Sequence, residues 1–296
     1  MSHDERVSCQ QAAEPSYAAC TGCSETSCSS YLAAESTSPT AIQSINTIGE
    51  TIVVMSGKGG VGKSTMAVNI AISLHMAGYR VGLLDSDIHG PSIPTMLGVT
   101  DGRILESDGH FLPIDAQGLK VISIGFFLEN RDDAVIWRGP VKAGVITQFM
   151  NDVLWGELDY LIVDSPPGTG DEPLSVCQAI TGKAAAVIVT TPQKVADVDV
   201  RKSISFCRDI GIPIRGIIEN MSGFVCPHCG EKTALFGSGG GKALADEFLL
   251  PFLGEVPIDP AIVVSGDTGK PFLDRYRDSV SARVLNKILE PLTTTS

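Results

Sequence analysis

From Thr51 onward the chain is built of short, continuously apolar runs, each bounded by glycine, proline or aspartate and separated by stretches of helical length. The runs at 51–56, 80–85, 120–124, 160–164, 185–190, 214–219 and 252–256 read as strands. They are rich in Val, Ile and Leu and mostly lack polar alternation, as strands covered on both faces must. Helical spacing marks 63–77, 140–154, 195–209 and 242–249. Strand and helix in alternation predict an α/β fold, a doubly wound and mainly parallel sheet of about seven strands. The last periodic segment, 276–289, places Val280, Val284 and Ile288 on one face and reads as a terminal helix packed on the core. Arg283 and Lys287 supply too little positive charge for a membrane-surface helix.

Before this regular texture the pattern is different. Residues 1–47 are rich in Ser, Thr, Ala and Glu, lack apolar periodicity, and carry Cys9, Cys20, Cys23 and Cys28 ahead of a linker-like stretch at 36–40. The expectation is an N-terminal cysteine-bearing extension over 1–47, mobile without a ligand, followed by one domain over 48–296.

Charge and composition narrow the function. A formal net charge of -12 over 296 residues disfavours both nucleic acid and anionic lipid as partners. The polar start and the lack of a long apolar run predict neither a signal peptide nor a membrane span, hence a cytoplasmic protein. In a reducing compartment, the clustered thiols among the eight cysteines point to metal rather than disulfides.

After the first strand comes Gly57-Lys58-Gly59-Gly60-Val61-Gly62-Lys63-Ser64-Thr65, which satisfies G-x-x-x-x-G-K-[ST] and runs directly into a helical pattern. Glycines let the backbone approach phosphate, so that successive N–H groups and a helix N-terminus surround an anion. Lys63 would neutralise β- and γ-phosphate charge, and the Ser64 hydroxyl would ligate Mg²⁺. Two more strands end in aspartates on the edge where such sheets bind ligands. Asp164, followed by Ser165-Pro166-Pro167-Gly168, would hold the Mg²⁺ shell through water, and Asp87 would orient the attacking water. A second glycine run, Gly237 to Gly241 before Lys242-Ala243, lacks the metal-binding hydroxyl and reads as a flexible turn into a helix.

Lys58, the second lysine of the loop, resembles the signature of the deviant Walker A group of P-loop ATPases. Asp85-Ser86-Asp87-Ile88-His89-Gly90-Pro91-Ser92, Asp164 to Asp171, Glu219-Asn220-Met221-Ser222 and Cys226-Pro227-His228-Cys229 narrow the likeness to the Mrp/ApbC family of iron-sulfur carriers, over about 50–290. The resemblance implies a homodimer with Lys58 reaching the partner's nucleotide, adenine recognition at Asn220, and Gly168 in a switch loop. It also implies ATP hydrolysis coupled to carrying a 4Fe-4S cluster to apo iron-sulfur recipient proteins, with help from cluster assembly factors. Spatial-organising ATPases and ATP-driven electron donors of the same group are the alternatives.

Cys226 and Cys229 supply two thiolates, half of a tetrahedral set, and downstream sequence offers no second pair. A dimer-bridging cluster, as the resemblance implies, stands beside bridging zinc, a redox pair and a plain loop; His228 reads as a loop residue. Cys9, Cys20, Cys23 and Cys28 have the ligand count of a second iron-sulfur cluster. The segment resembles that of eukaryotic cytosolic scaffold NTPases with shorter first and last gaps, and zinc or no metal remain its alternatives. Cys177 and Cys207, each alone in a helical segment, read as small core residues.

Overall fold

The computed structural model describes residues 46–128, 139–226 and 228–293, all within the compact unit Pro39–Ser296. The cysteines at 9, 20, 23 and 28 lie outside the described residues.

Eleven strands are described: β1 Thr47–Met55, β2 Val81–Asp85, β3 Leu105–Ser107, β4 His110–Leu112, β5 Ile114–Ala116, β6 Leu119–Ser123, β7 Glu157–Asp164, β8 Ala184–Thr190, β9 Ile214–Val225, β10 Lys232–Thr233 and β11 Phe252–Ile258. The helices are α1 Lys63–Met76, α2 Ile93–Met96, α3 Gly139–Asn151, α4 Asp171–Ala179, α5 Lys194–Asp209, α6 Gly240–Phe248, α7 Pro260–Asp267, α8 Phe272–Arg275 and α9 Val280–Thr293. Each strand expected from sequence is present. They form the parallel body β11-β9-β8-β1-β7-β2-β6 of a nine-stranded sheet, to which β5 and β10 add antiparallel ends. β3 and β4 form a separate hairpin.

Alternation within the strands explains why they read as uniformly apolar. In β1, Ile52 and Val54 enter one core with α1 and α9, while Val53 and Met55 enter another with α3, α4 and α5; β7 divides likewise, Tyr160 and Ile162 against Leu161 and Val163. Both faces are covered, so no position in these strands needs to be polar. Cys207 lies fully buried in the second core, its sulfur 3.5 Å from that of Met55, and burial pushes the thiols of Cys177 and Cys207 up to about 12. Neither is poised for chemistry.

The terminal helix differs from the expectation. It starts at Val280 and continues to Thr293 through Pro291, and its buried stripe is Ala282, Leu285, Ile288, Leu289 and Leu292. Val280 is 68% exposed and Val284 only partly buried. Spacings of three and four residues from Ala282 define the buried face; Val280 shares the i, i+4 row of Val284 and Ile288, but lies before the helix meets the sheet. Four helices, α2, α4, α7 and α8, escaped the periodicity. None is longer than nine residues, which leaves little room for a stripe to repeat.

Candidate nucleotide and cysteine sites

Parallel strands end on the same edge, and register sets which ends meet. Val54, Asp164, Asp85 and Ser123 are successive partners across β1, β7, β2 and β6. This line passes under the loop joining β1 to α1. Gly60 and Gly62 have φ of 79° and 85°, left-handed values that favour glycine, and Gly62 is the N-cap of α1. A Cβ on Gly62 would stand 2.2 Å from Asn220 Nδ2, so the loop seats itself against β9 only because that atom is missing. The Asn220 amide donates to the Val61 carbonyl at 2.8 Å, which fixes its orientation. From the other side, Gly168 (φ 93°) donates its N–H to the Ser56 carbonyl at 2.8 Å, joining the loop after β7 to the phosphate loop.

The lysine and aspartate expected to share a Mg-nucleotide are in direct contact. Lys63 Nζ lies 2.5 Å from Asp164 Oδ1 and 3.5 Å from Ser64 Oγ, with both Lys63 and Asp164 buried. Asp164 Oδ2 is buried with no hydrogen-bond partner among the described residues. An orphaned carboxylate oxygen beside a serine hydroxyl is a hard-oxygen donor set, which fits a magnesium shell. Burial pushes the Asp164 carboxyl upward, opposed by the Lys63 ammonium. Asp85 is raised to about 8, first by burial and then by repulsion from Asp164.

Asp85 was missed as a functional position, although the sequence places it in the carboxylate pair with Asp87. Its oxygens accept from Asp87 N at 3.3 Å, Ile93 N at 3.4 Å and Ser123 Oγ at 3.0 Å, so it ties down both ends of the 87–93 loop. Half-buried Asp87 faces a cavity of about 190 Å³ together with Gly59, Gly60, Lys63, Ser64 and Pro167. That space meets a larger one of about 550 Å³ at Gly62, Thr65, Ser92 and Met96; Asn220, Met221, Phe236, Pro257 and Asp259 bound the latter. A smaller chamber lined by Lys63, Ser64 and Asp87 beside a larger, mostly apolar one has the shape of a nucleotide site.

Lys58 is half-buried and donates to Gln193 Oε1 at 3.3 Å. Lys142 of α3 is a second unforeseen contributor: Nζ lies 2.5 Å from His89 Nε2 and 2.6 Å from Glu172 Oε1, linking the loop that follows β2 to the first turn of α4. Nothing in the sequence between these distant residues signals that contact. The second glycine run does turn into a helix, but it is pinned rather than flexible. Fully buried Glu219 accepts from Gly239 N at 3.1 Å and Gly241 N at 2.6 Å, and from Ser222 Oγ at 2.8 Å. The chain's own carboxylate occupies the anion position of that helix N-terminus.

Cys226 and Cys229 sit in the turn between β9 and β10, closed by Cys226 N to Glu231 O and Gly230 N to Cys226 O, each 2.9 Å. Cys229 is exposed, Cys226 half-buried and His228 exposed. The backbone N–H of Cys229, then that of His228, faces the Cys226 sulfur and holds its thiol below the ordinary range. Such a turn favours thiolate and therefore soft-metal binding. Among the described residues no third His, Cys, Asp or Glu joins the pair in a metal-sized group. No helix among them is long and apolar enough to cross a membrane.

Comparison with known proteins agrees with this geometry. The family described as NUBPL iron-transfer P-loop NTPase matches residues 47–293. The chain is 50% identical over 248 residues to a Trichoplax adhaerens protein named cytosolic Fe-S cluster assembly factor NUBP2 homolog, covering 82% of this chain and 94% of that protein. A Drosophila melanogaster protein of corresponding name is 51% identical over 248 residues, with coverages of 82% and 95%. Among solved structures, a nucleotide-binding protein from Archaeoglobus fulgidus in complex with ADP superposes with a TM-score of 0.69 at 39% identity, covering 82% of this chain and 97% of that one. The septum site-determining protein MinD of Pyrococcus horikoshii, complexed with Mg-ADP, shares the fold with a TM-score of 0.64 at 21% identity, with coverages of 83% and 96%.

Proposed function

Because this chain belongs to the family of NUBPL iron-transfer P-loop NTPases, we propose that it is an ATP-hydrolysing carrier. As a homodimer it assembles a 4Fe-4S cluster on Cys226 and Cys229 of two subunits and passes it to apo iron-sulfur proteins. The observation that carries this reading is the course of β9. One strand brings Asn220 to the phosphate loop and, six residues later, delivers Cys226 to an exposed turn. A nucleotide site and a thiol pair thus share a single element.

In this reading Lys63 and the loop N–H groups hold the β- and γ-phosphates. Ser64 and Asp164 hold Mg²⁺, which supplies charge neutralisation when bound. Asp87 orients the attacking water, and Gly168 N–H, at the head of its loop, reports the state of the phosphate. Lys58 leaves Gln193 to reach the nucleotide of the partner subunit. Asn220 Oδ1 remains free to accept from the adenine amino group, since its amide nitrogen is committed to Val61. The relatives' names include the word cytosolic, and the same compartment is proposed here. A second cluster is proposed on the N-terminal cysteines.

The test is anaerobic iron, sulfide and zinc analysis of the full chain, with its visible spectrum, before and after Cys226→Ser/Cys229→Ser. Iron and sulfide should drop to the amount held by the N-terminal segment; zinc in their place, or an unchanged content, would reject the carrier reading. Lys63→Ala should abolish ATP binding while iron is retained, and normal ATP binding by that variant would reject the nucleotide site.

A further inference from the structure

Between Asn220 and Cys226 the backbone of β9 is distorted. Asn220 pairs with Val256 of β11 and Phe224 with Ile258, so four steps along β9 are matched by two along β11. The extra length is a bulge over 221–223. Met221 there adopts φ 59°, in the left-handed region that a non-glycine residue rarely occupies, and Gly223 adopts φ 80°. The bulge is anchored on its inner side, where buried Ser222 donates to buried Glu219. Its outer side bears on the cysteine turn. A Cβ on Gly223 would lie 2.7 Å from Cε of Lys232, the far end of an exposed side chain of β10, and the left-handed φ of 80° favours glycine there. The side facing the nucleotide is Met221, which lines the larger cavity.

We propose that Met221 and Gly223 are positioning residues through which occupancy of the nucleotide cavity sets the orientation of Cys226 and Cys229. A base in that cavity packs against Met221 and favours its left-handed conformation. The fold itself holds Met221 at φ 59°, so contact with a base shifts the balance between the bulged and the regular pairing rather than creating the bulge. Because Ser222 and Glu219 hold the inner side, the change is carried outward into the β9–β10 turn. Strain persists at positions that surrounding structure over-determines, here through the pairing of β9 with β11 and the Ser222–Glu219 hydrogen bond, and a ligand's contact adds to that balance. The inference rests on the proposed function only in taking nucleotide to occupy the cavity.

The experiment uses the reduced, cluster-free full chain and measures alkylation rates of individual cysteines by peptide mass spectrometry, with and without a non-hydrolysable ATP analogue; fully buried Cys207 serves as the reference. In the native chain the analogue should change the rates at Cys226 and Cys229 by at least about threefold. Gly223→Ala, whose methyl disfavours φ 80° and presses on Lys232, should bring that ratio close to one while the analogue still binds. Met221→Gly, which removes both the strain and the side chain that a base packs against, should also bring it close to one, and Met221→Leu should keep it. A native ratio of one with the analogue bound overturns the coupling, as does a native-like ratio in Gly223→Ala and Met221→Gly together. Failure of the native chain to bind the analogue is a different result, one that removes the nucleotide site itself.

Discussion

Asp85 and Asp164 occupy matching positions on adjacent strands, fully buried, with the single Lys63 ammonium bonded to one of them. Two carboxylates and one cation in low dielectric leave one carboxyl favouring its proton, and Asp85 is the one raised to about 8. Its unfolded value is 3.8. Between those values the folded chain holds more protons than the unfolded one, so this stabilisation is complete below 3.8 and is lost as pH rises toward 8. For one proton the slope reaches at most about 1.4 kcal/mol per pH unit. Thermal unfolding of the nucleotide-free protein from pH 5 to 8 should therefore show falling stability, and Asp85→Asn should flatten the slope; an unchanged slope would assign the protons elsewhere. At this scale the sequence was a good guide where a motif fixes the backbone, as in Gly57 to Thr65. It was silent where contacts join distant residues, as with Lys142, His89 and Glu172 or Glu219 and Gly241, because nothing local records such pairings.

The strands were legible because burial on both faces removes polar residues from them, which leaves runs such as Ile52 to Met55 and Leu161 to Val163 that resemble nothing else in the chain. Helices were legible in proportion to length. α1 and α5 were found nearly to the residue, whereas α7 starts from a local signal that periodicity does not weigh: Asp259 caps Ala261 N at 2.8 Å with Pro260 in the first turn. α9 was found with its stripe misassigned, and the two assignments differ measurably. Leu285→Ala removes a fully buried side chain and should cost about 2–5 kcal/mol in urea unfolding, while Val280→Ala should stay within about 0.5 kcal/mol. Equal costs would restore Val280 to the buried face.

For the molecule as a whole, the proposed assembly joins two chains that each carry a formal charge of -12. Their repulsion is screened by salt, so dimerisation should strengthen as ionic strength rises, contrary to an interface held mainly by opposite charges. Sedimentation velocity with a non-hydrolysable ATP analogue should show a dimer for the native chain and a monomer for Lys58→Ala. A Lys58→Ala dimer of native stability would mean that this lysine stays with Gln193 and does not cross.

The contact between Lys63 and Asp164 pairs the lysine of the phosphate loop with a carboxylate of the chain's own. In the proposed reading, nucleotide entry is a swap of partners. Once phosphate claims the lysine, Asp164 is left charged in a dry interior unless another cation replaces the one it lost. Nucleotide that arrives without its metal must either leave that charge bare or bring a proton to it. In that reading the chemistry of the pocket selects for the metal complex at the threshold, before any bond is broken.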